Sequence, residues 1–263
     1  MVYSSSFDSP RKWIVGSALM LLTACGGSGS SSGAGGEGGV VDDPTPPVVE
    51  TPVFSESRFD GAAPDADTEG PYQIAGPIDY QYAAVMATRN IDDSDGSSVD
   101  QFADPVDILG VIHYPVVDSA SDIPEDGFPL ILFQHGRHST CSTTGDASGD
   151  ESSGTDCEAN GLVPIRSDKG YDYIADTMAS HGYVVLSVDV NDINAQDSGS
   201  NDQGITARAE VILHHLDIFR DIATQPDSAY HQDEAGNDFS VLLDSIDLSR
   251  IGLMGHSRGG NGV

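Results

Sequence analysis

The stretch Arg250-Ile251-Gly252-Leu253-Met254-Gly255-His256-Ser257-Arg258-Gly259-Gly260 decides how the chain is read. A short apolar run leads into Gly-x-Ser-x-Gly, and two consecutive glycines follow it. A serine hydroxyl held on a tight strand-to-helix turn is exposed for attack. Such a turn strains the backbone and crowds its neighbours, so small residues flank it. The N–H groups at the start of the following helix favour developing negative charge. The five-residue pattern alone says little in a chain this rich in Gly and Ser. Gly29-Ser30-Ser31-Ser32-Gly33 matches it too, but has no apolar run before it. Context singles out Ser257.

Working back from Ser257, the chain alternates between two periods. Pro129 to Phe133 and Tyr183 to Val188 are continuous apolar runs, as suits strands buried on both faces. Between them, Tyr171, Ile174 and Met178 recur at helical spacing, and His181-Gly182 is the expected stop. Ile205, Ala209, Ile212, Leu216, Phe219 and Ala223 mark a longer helix, about 205 to 223. Tyr80 to Ala87 and Asp107 to Tyr114, the latter ended by Pro115, read as earlier strands. Strand, helix, strand, helix, strand predicts an α/β fold with a mostly parallel sheet and crossover helices.

The front end reads as a signal. Arg11 and Lys12 precede an apolar run from Trp13 to Leu22, too short to span a bilayer. Leu22-Thr23-Ala24-Cys25 follows and resembles the lipobox of bacterial lipoproteins. That resemblance implies removal of residues 1 to 24 and lipidation of Cys25. Two acyl chains there suffice for stable anchoring, so the expected location is an exported, membrane-anchored one, at the bacterial outer membrane or cell surface. An ordinary secretory signal with a chance cysteine is the alternative. Residues 25 to 57 are Gly, Ser, Pro and acid, and read as a tether. The folded part is then 58 to 263.

Of three cysteines, Cys141 and Cys157 remain. An exported chain favours a disulfide between them; two free thiols are the alternative. They flank a polar insert, Ser139 to Asn160. The formal net charge of −31 argues against nucleic acid as a partner, since phosphate binding needs Lys and Arg. Asp93-Ser94-Asp95-Gly96 looks like part of an EF-hand loop, but Ile91 would stand at the first ligand position. No metal or other cofactor is expected.

With Ser257 in this setting and His135-Gly136-Arg137 directly after the run 129 to 133, residues 75 to 263 resemble the α/β-hydrolase family. The secreted bacterial esterase, dienelactone-hydrolase and polyester-hydrolase branches look nearest. The resemblance implies that Ser257 is the nucleophile of a carboxylic-ester hydrolase. The Arg137 and Arg258 backbone N–H groups would form the oxyanion hole. Gly255, His256 and Gly259 would support the elbow, and His135 and Gly136 the oxyanion loop. His256 would pack with its side chain away from the serine. The Arg137 and Arg258 side chains would make structural salt bridges, with an acidic substrate group as the alternative. In the family an acid and a histidine follow the serine. Here six residues follow Ser257, so the chain reads as an inactive fragment whose sheet is incomplete after the elbow. The substrate is then a small-molecule or polymeric ester. A non-catalytic surface lipoprotein that uses the same scaffold for binding is the alternative.

Overall fold

The computed structural model describes residues 68–90 and 99–263. The signal, Cys25, the tether and the 93–96 acidic loop lie outside the described residues. Along the chain run β1 (Gln73–Val85), β2 (Thr88–Asn90), β3 (Val99–Gln101), β4 (Val106–Val116), β5 (Phe128–Gln134), β6 (Cys141–Ser142), β7 (Glu151–Ser152) and β8 (Val163–Pro164). Then come α1 (Asp172–Ser180), β9 (Val184–Val188), α2 (Asn191–Gln196), α3 (Ile205–Thr224), β10 (Ile246–Gly255) and α4 (Gly259–Gly262).

Five strands form the main sheet in the order β1-β4-β9-β5-β10. β9, β5 and β10 pair in parallel. β4 runs against both of its neighbours, β1 and β9. The sheet is therefore mixed, which departs from the mostly parallel pairing expected. β1 starts earlier than expected and ends two residues sooner, and β4 exceeds its expected bounds at both ends. β4 continues through Pro115, which pairs with Ile74 of β1. The β9 ladder stops at His113, so Pro115 has one neighbour strand and its missing N–H disrupts no second ladder.

The apolar runs of β5 and β9 are buried on both faces because their side chains alternate, whereas Ile251, Leu253 and Met254 of β10 are exposed. Leu130, Leu132, Val184, Leu186 and Val188 pack with Val211, Phe219 and Ile222 of α3 in the larger core. Phe133 and Val185 point the other way, with Ile131, and pack with Ala175, Ile174 and Met178 of α1. Burying one such side chain stabilises by about 1.5–3 kcal/mol. Gly182, at φ +91, ends α1, where a side chain would be strained.

The polar insert is not a featureless loop. β6 pairs with β7 and β8 in a small antiparallel sheet, and a disulfide joins Cys141 to Cys157 with Cα atoms 5.4 Å apart. Closing a loop of about 15 residues contributes about 3 kcal/mol in the chain-entropy account. The double substitution Cys141→Ala/Cys157→Ala is expected to lower the unfolding free energy by about that amount, read from urea midpoints.

His214 and His215 diverge on α3: His214 is exposed and His215 is fully buried. His215 Nδ1 lies 2.8 Å from the Val211 carbonyl, and its ring stands edge-on to Tyr80. Burial brings its pKa down from 6.5 to about 4. Between these values the unfolded chain binds the proton and the folded chain does not. The stabilisation is complete above pH 6.5 and is lost as pH falls towards 4, by up to about 3 kcal/mol. His215→Leu should flatten the decline in urea midpoint between pH 7 and 4.5; an unchanged slope would refute the assignment.

Candidate functional site

β5 and β10 end side by side, with Gln134 opposite Gly255. The His256 N–H donates to the Gln134 carbonyl at 3.1 Å. The chain then turns sharply at Ser257, which sits at φ +53. That left-handed conformation is uncommon for a residue with a Cβ and costs of order 1–3 kcal/mol. Immediately afterwards the Gly259 and Gly260 N–H groups donate to the His256 and Ser257 carbonyls, at 2.9 and 3.0 Å, and α4 begins. The Ser257 side chain is exposed.

The glycines of the motif have steric reasons. A Cβ on Gly255 would overlap the Gly259 backbone, and one on Gly259 would run into the Gln134 and His135 carbonyl oxygens. His256 is exposed, and its Nδ1 would stand 3.1 Å from a Cβ on Gly136, so its ring lies against the loop after β5.

The loop after β5 lies against the turn. A Cβ on Gly136 would stand 2.9 Å from both the Ser257 Cβ and the His256 carbonyl oxygen. His135 Nε2 accepts the Val190 N–H at 2.9 Å, so the proton of the neutral ring is on Nδ1. From there it donates to the Gly136 carbonyl at 2.9 Å, which also accepts from Asn194 Nδ2 at 3.1 Å. The peptide is planar and trans, so the Arg137 N–H points opposite to that held carbonyl. Neither the Arg137 nor the Arg258 amide donates a hydrogen bond among the described residues. Gly136 of the expected loop is thus brought against Ser257, and His135 is bonded to the Gly136 carbonyl and the Val190 N–H.

The two arginine side chains reach the same carboxylate. Arg137 Nε lies 3.0 Å from Asp197 Oδ1, and Arg258 Nη1 3.0 Å from Asp197 Oδ2. Arg208 Nη2 approaches Oδ2 at 3.4 Å. Asp197 and Arg208 are buried, whereas the Arg137 side chain is 42% exposed. Burial lowers the Arg208 pKa, opposed by Asp197. Arg208 also donates to Asn194 Oδ1, and the Gln134 side-chain amide donates to the Arg208 carbonyl at 3.0 Å. Sequence reasoning missed Asn194, Asp197 and Arg208. α2 spans six residues, too few for a helical period to show. Arg208 lies inside a mostly apolar face that also holds His215, and its charge was the available signal.

Two histidine–carboxylate contacts do not reach the serine. Asp189 sits 3.7 Å from His135 Nε2 and accepts the Asn191 N–H at 2.7 Å. His113 lies between Asp176, at 2.8 Å, and Asp172, at 3.2 Å. It is on β4, three strand positions from β10, or about 14 Å at the usual spacing. The Ser257 hydroxyl has no hydrogen-bond partner among the described residues. Among those residues no group of three or more His, Cys, Asp or Glu side chains is arranged to hold a metal ion. None of their helices is long and apolar enough to cross a membrane.

No protein-family model matches the chain, and no curated protein matches it as a relative.

Gly259→Ala is expected to destabilise by at least about 1–3 kcal/mol, since backbone must move to admit the methyl group. Gly252→Ala, whose Cβ would meet its nearest neighbour at an ordinary 3.5 Å, should stay within about 0.5 kcal/mol. Urea unfolding of both variants checks the contrast; equal effects would contradict the packing described.

Proposed function

We propose that the chain carries the nucleophile and oxyanion hole of an α/β-hydrolase-type serine hydrolase acting on carboxylic esters. The observation that carries this reading is Ser257 at φ +53 between β10 and α4, its side chain exposed and its Cβ facing Gly136. A protein tolerates that strain where the surrounding structure over-determines it, as the Gly255–Gly259 contacts do here.

The course of reaction follows from the groups present. Ser257 Oγ attacks the ester carbonyl carbon, and the carbonyl oxygen becomes an oxyanion. The Arg137 and Arg258 N–H groups receive it, and the alcohol departs to leave an acyl-serine. Water then attacks the acyl carbon and regenerates Ser257. The serine proton must pass to a base, which an acid orients. In the family both follow the serine in the chain. The chemistry calls for no cofactor. Export and anchoring through Cys25 belong to the same proposal and rest on the sequence at residues 11 to 25.

A fluorophosphonate probe added to the full-length gene product should label Ser257, and Ser257→Ala should abolish labelling. Mass spectrometry of the modified peptide locates the adduct. An unlabelled wild type, or equal labelling of the variant, would sink the proposal in favour of a scaffold used for binding alone.

A further inference from the structure

The two proposed oxyanion donors belong to separate turns, one after β5 and one after β10. Backbone pairing between those turns ends at Gln134–His256. Beyond that point, among the described residues, Asp197 is the one side chain bonded to both. We propose that Asp197 is a positioning residue that sets the separation and orientation of the Arg137 and Arg258 backbone N–H groups. This rests on the serine-hydrolase reading of the same site.

Three features support it. First, the carboxylate is a rigid two-pronged acceptor that takes one arginine on each oxygen, Arg137 Nε at 3.0 Å and Arg258 Nη1 at 3.0 Å. The bond from Arg137 uses Nε, the guanidinium nitrogen nearest the backbone, so the tether to its amide is short. Second, the carboxylate does not move freely. Its side chain is 1% exposed, its own N–H donates to the Ile193 carbonyl at 2.8 Å, and Arg208 contacts it from α3. Asn194, in α2 just ahead of Asp197, holds the Gly136 carbonyl. α2 and the residue that caps its C-terminal end therefore grip the oxyanion loop twice, once on the peptide oxygen and once on the next side chain. Third, the pairing is poorly explained as a stabiliser of the fold. The Arg137 and Arg258 side chains are 42% and 28% exposed, and solvent screening reduces what such part-exposed pairs contribute to stability.

The arrangement also concentrates charge. Three guanidinium groups face one carboxylate, which leaves a local positive excess beside Ser257 in a chain of net charge −31. An oxyanion forming there gains from that excess.

The test measures hydrolysis of p-nitrophenyl butyrate, whose acyl part is neutral, by the full-length gene product. Arg137→Ala and Arg258→Ala each keep their backbone donor but release it from Asp197. Each should lower kcat by about tenfold or more, with KM within about twofold and Tm within a few degrees. The double variant should be no slower than about the worse single, because both remove one clamp. Arg137→Lys, which can still reach Asp197, should recover part of the loss. Asp197→Asn should show the same kcat loss, together with instability from leaving Arg208 uncompensated. Wild-type kcat in the arginine variants, multiplying losses in the double variant, or losses that track Tm would overturn the clamp. The probe separates the two proposals: an unlabelled wild type overturns both, whereas labelled wild type with fully active arginine variants overturns the clamp alone.

Discussion

Two turns meet backbone to backbone at the ends of β5 and β10, and that close approach governs the rest of the site. The turn at Ser257 lies so near β5 that any Cβ at Gly255, Gly259 or Gly136 would strike main chain or the serine itself. Parallel pairing of Gln134 with Gly255 brings the turns level. The strained φ of Ser257 is then a consequence: the chain must reverse within one residue to start α4 without entering β5. Strain of order 1–3 kcal/mol is small against the burial of Leu130, Leu132, Phe133 and their neighbours on both faces of the sheet. The sheet can thus hold a conformation that an isolated turn would not keep.

Beneath these turns the interior is polar. Gln134, His135, Asn194, Asp197 and Arg208 are all buried, and most of their hydrogen-bonding atoms are paired with one another or with main chain. Gln134 Oε1 and Arg208 Nε have no partner. Apolar replacements of buried ion pairs are often no less stable. What the polar network provides is direction. His135 and Asn194 hold one carbonyl inward, and the planar peptide turns the next N–H outward. Asp197 fixes two arginine side chains through a single rigid group.

Much of the fold was legible because burial imposes a period. The runs around β5 and β9 and the faces of α1 and α3 are read from spacing alone, with ends within a few residues of those observed. β1 was underestimated by seven residues at its start, where Gly76 and Pro77 interrupt a strand pattern. β10 begins earlier than its apolar run, at Ile246, because the pairing skips residues between Asp247 and Ile251. The antiparallel direction of β4 has no signature in its own residues. In the site, Ser257 and the His135–Arg137 loop were legible from motif and context together. Asn194 and Asp197 were not, since a polar six-residue helix resembles the loop it interrupts.

The charge distribution shows why those unread residues matter. A surface this acidic repels an approaching anion and disfavours negative charge formed by reaction. With 42 acidic and 11 basic residues, the chain nevertheless gathers Arg137, Arg208 and Arg258 around one carboxylate beside the exposed serine. A scattered solubilising charge would not require Arg208 to be fully buried, where burial opposes its protonation. Holding a guanidinium there costs desolvation that only close polar partners offset. The cluster is therefore a local excess of positive charge in an acidic chain, and under the proposed reaction it would favour the oxyanion. Its carboxylate offsets part of the repulsion among the three guanidinium groups.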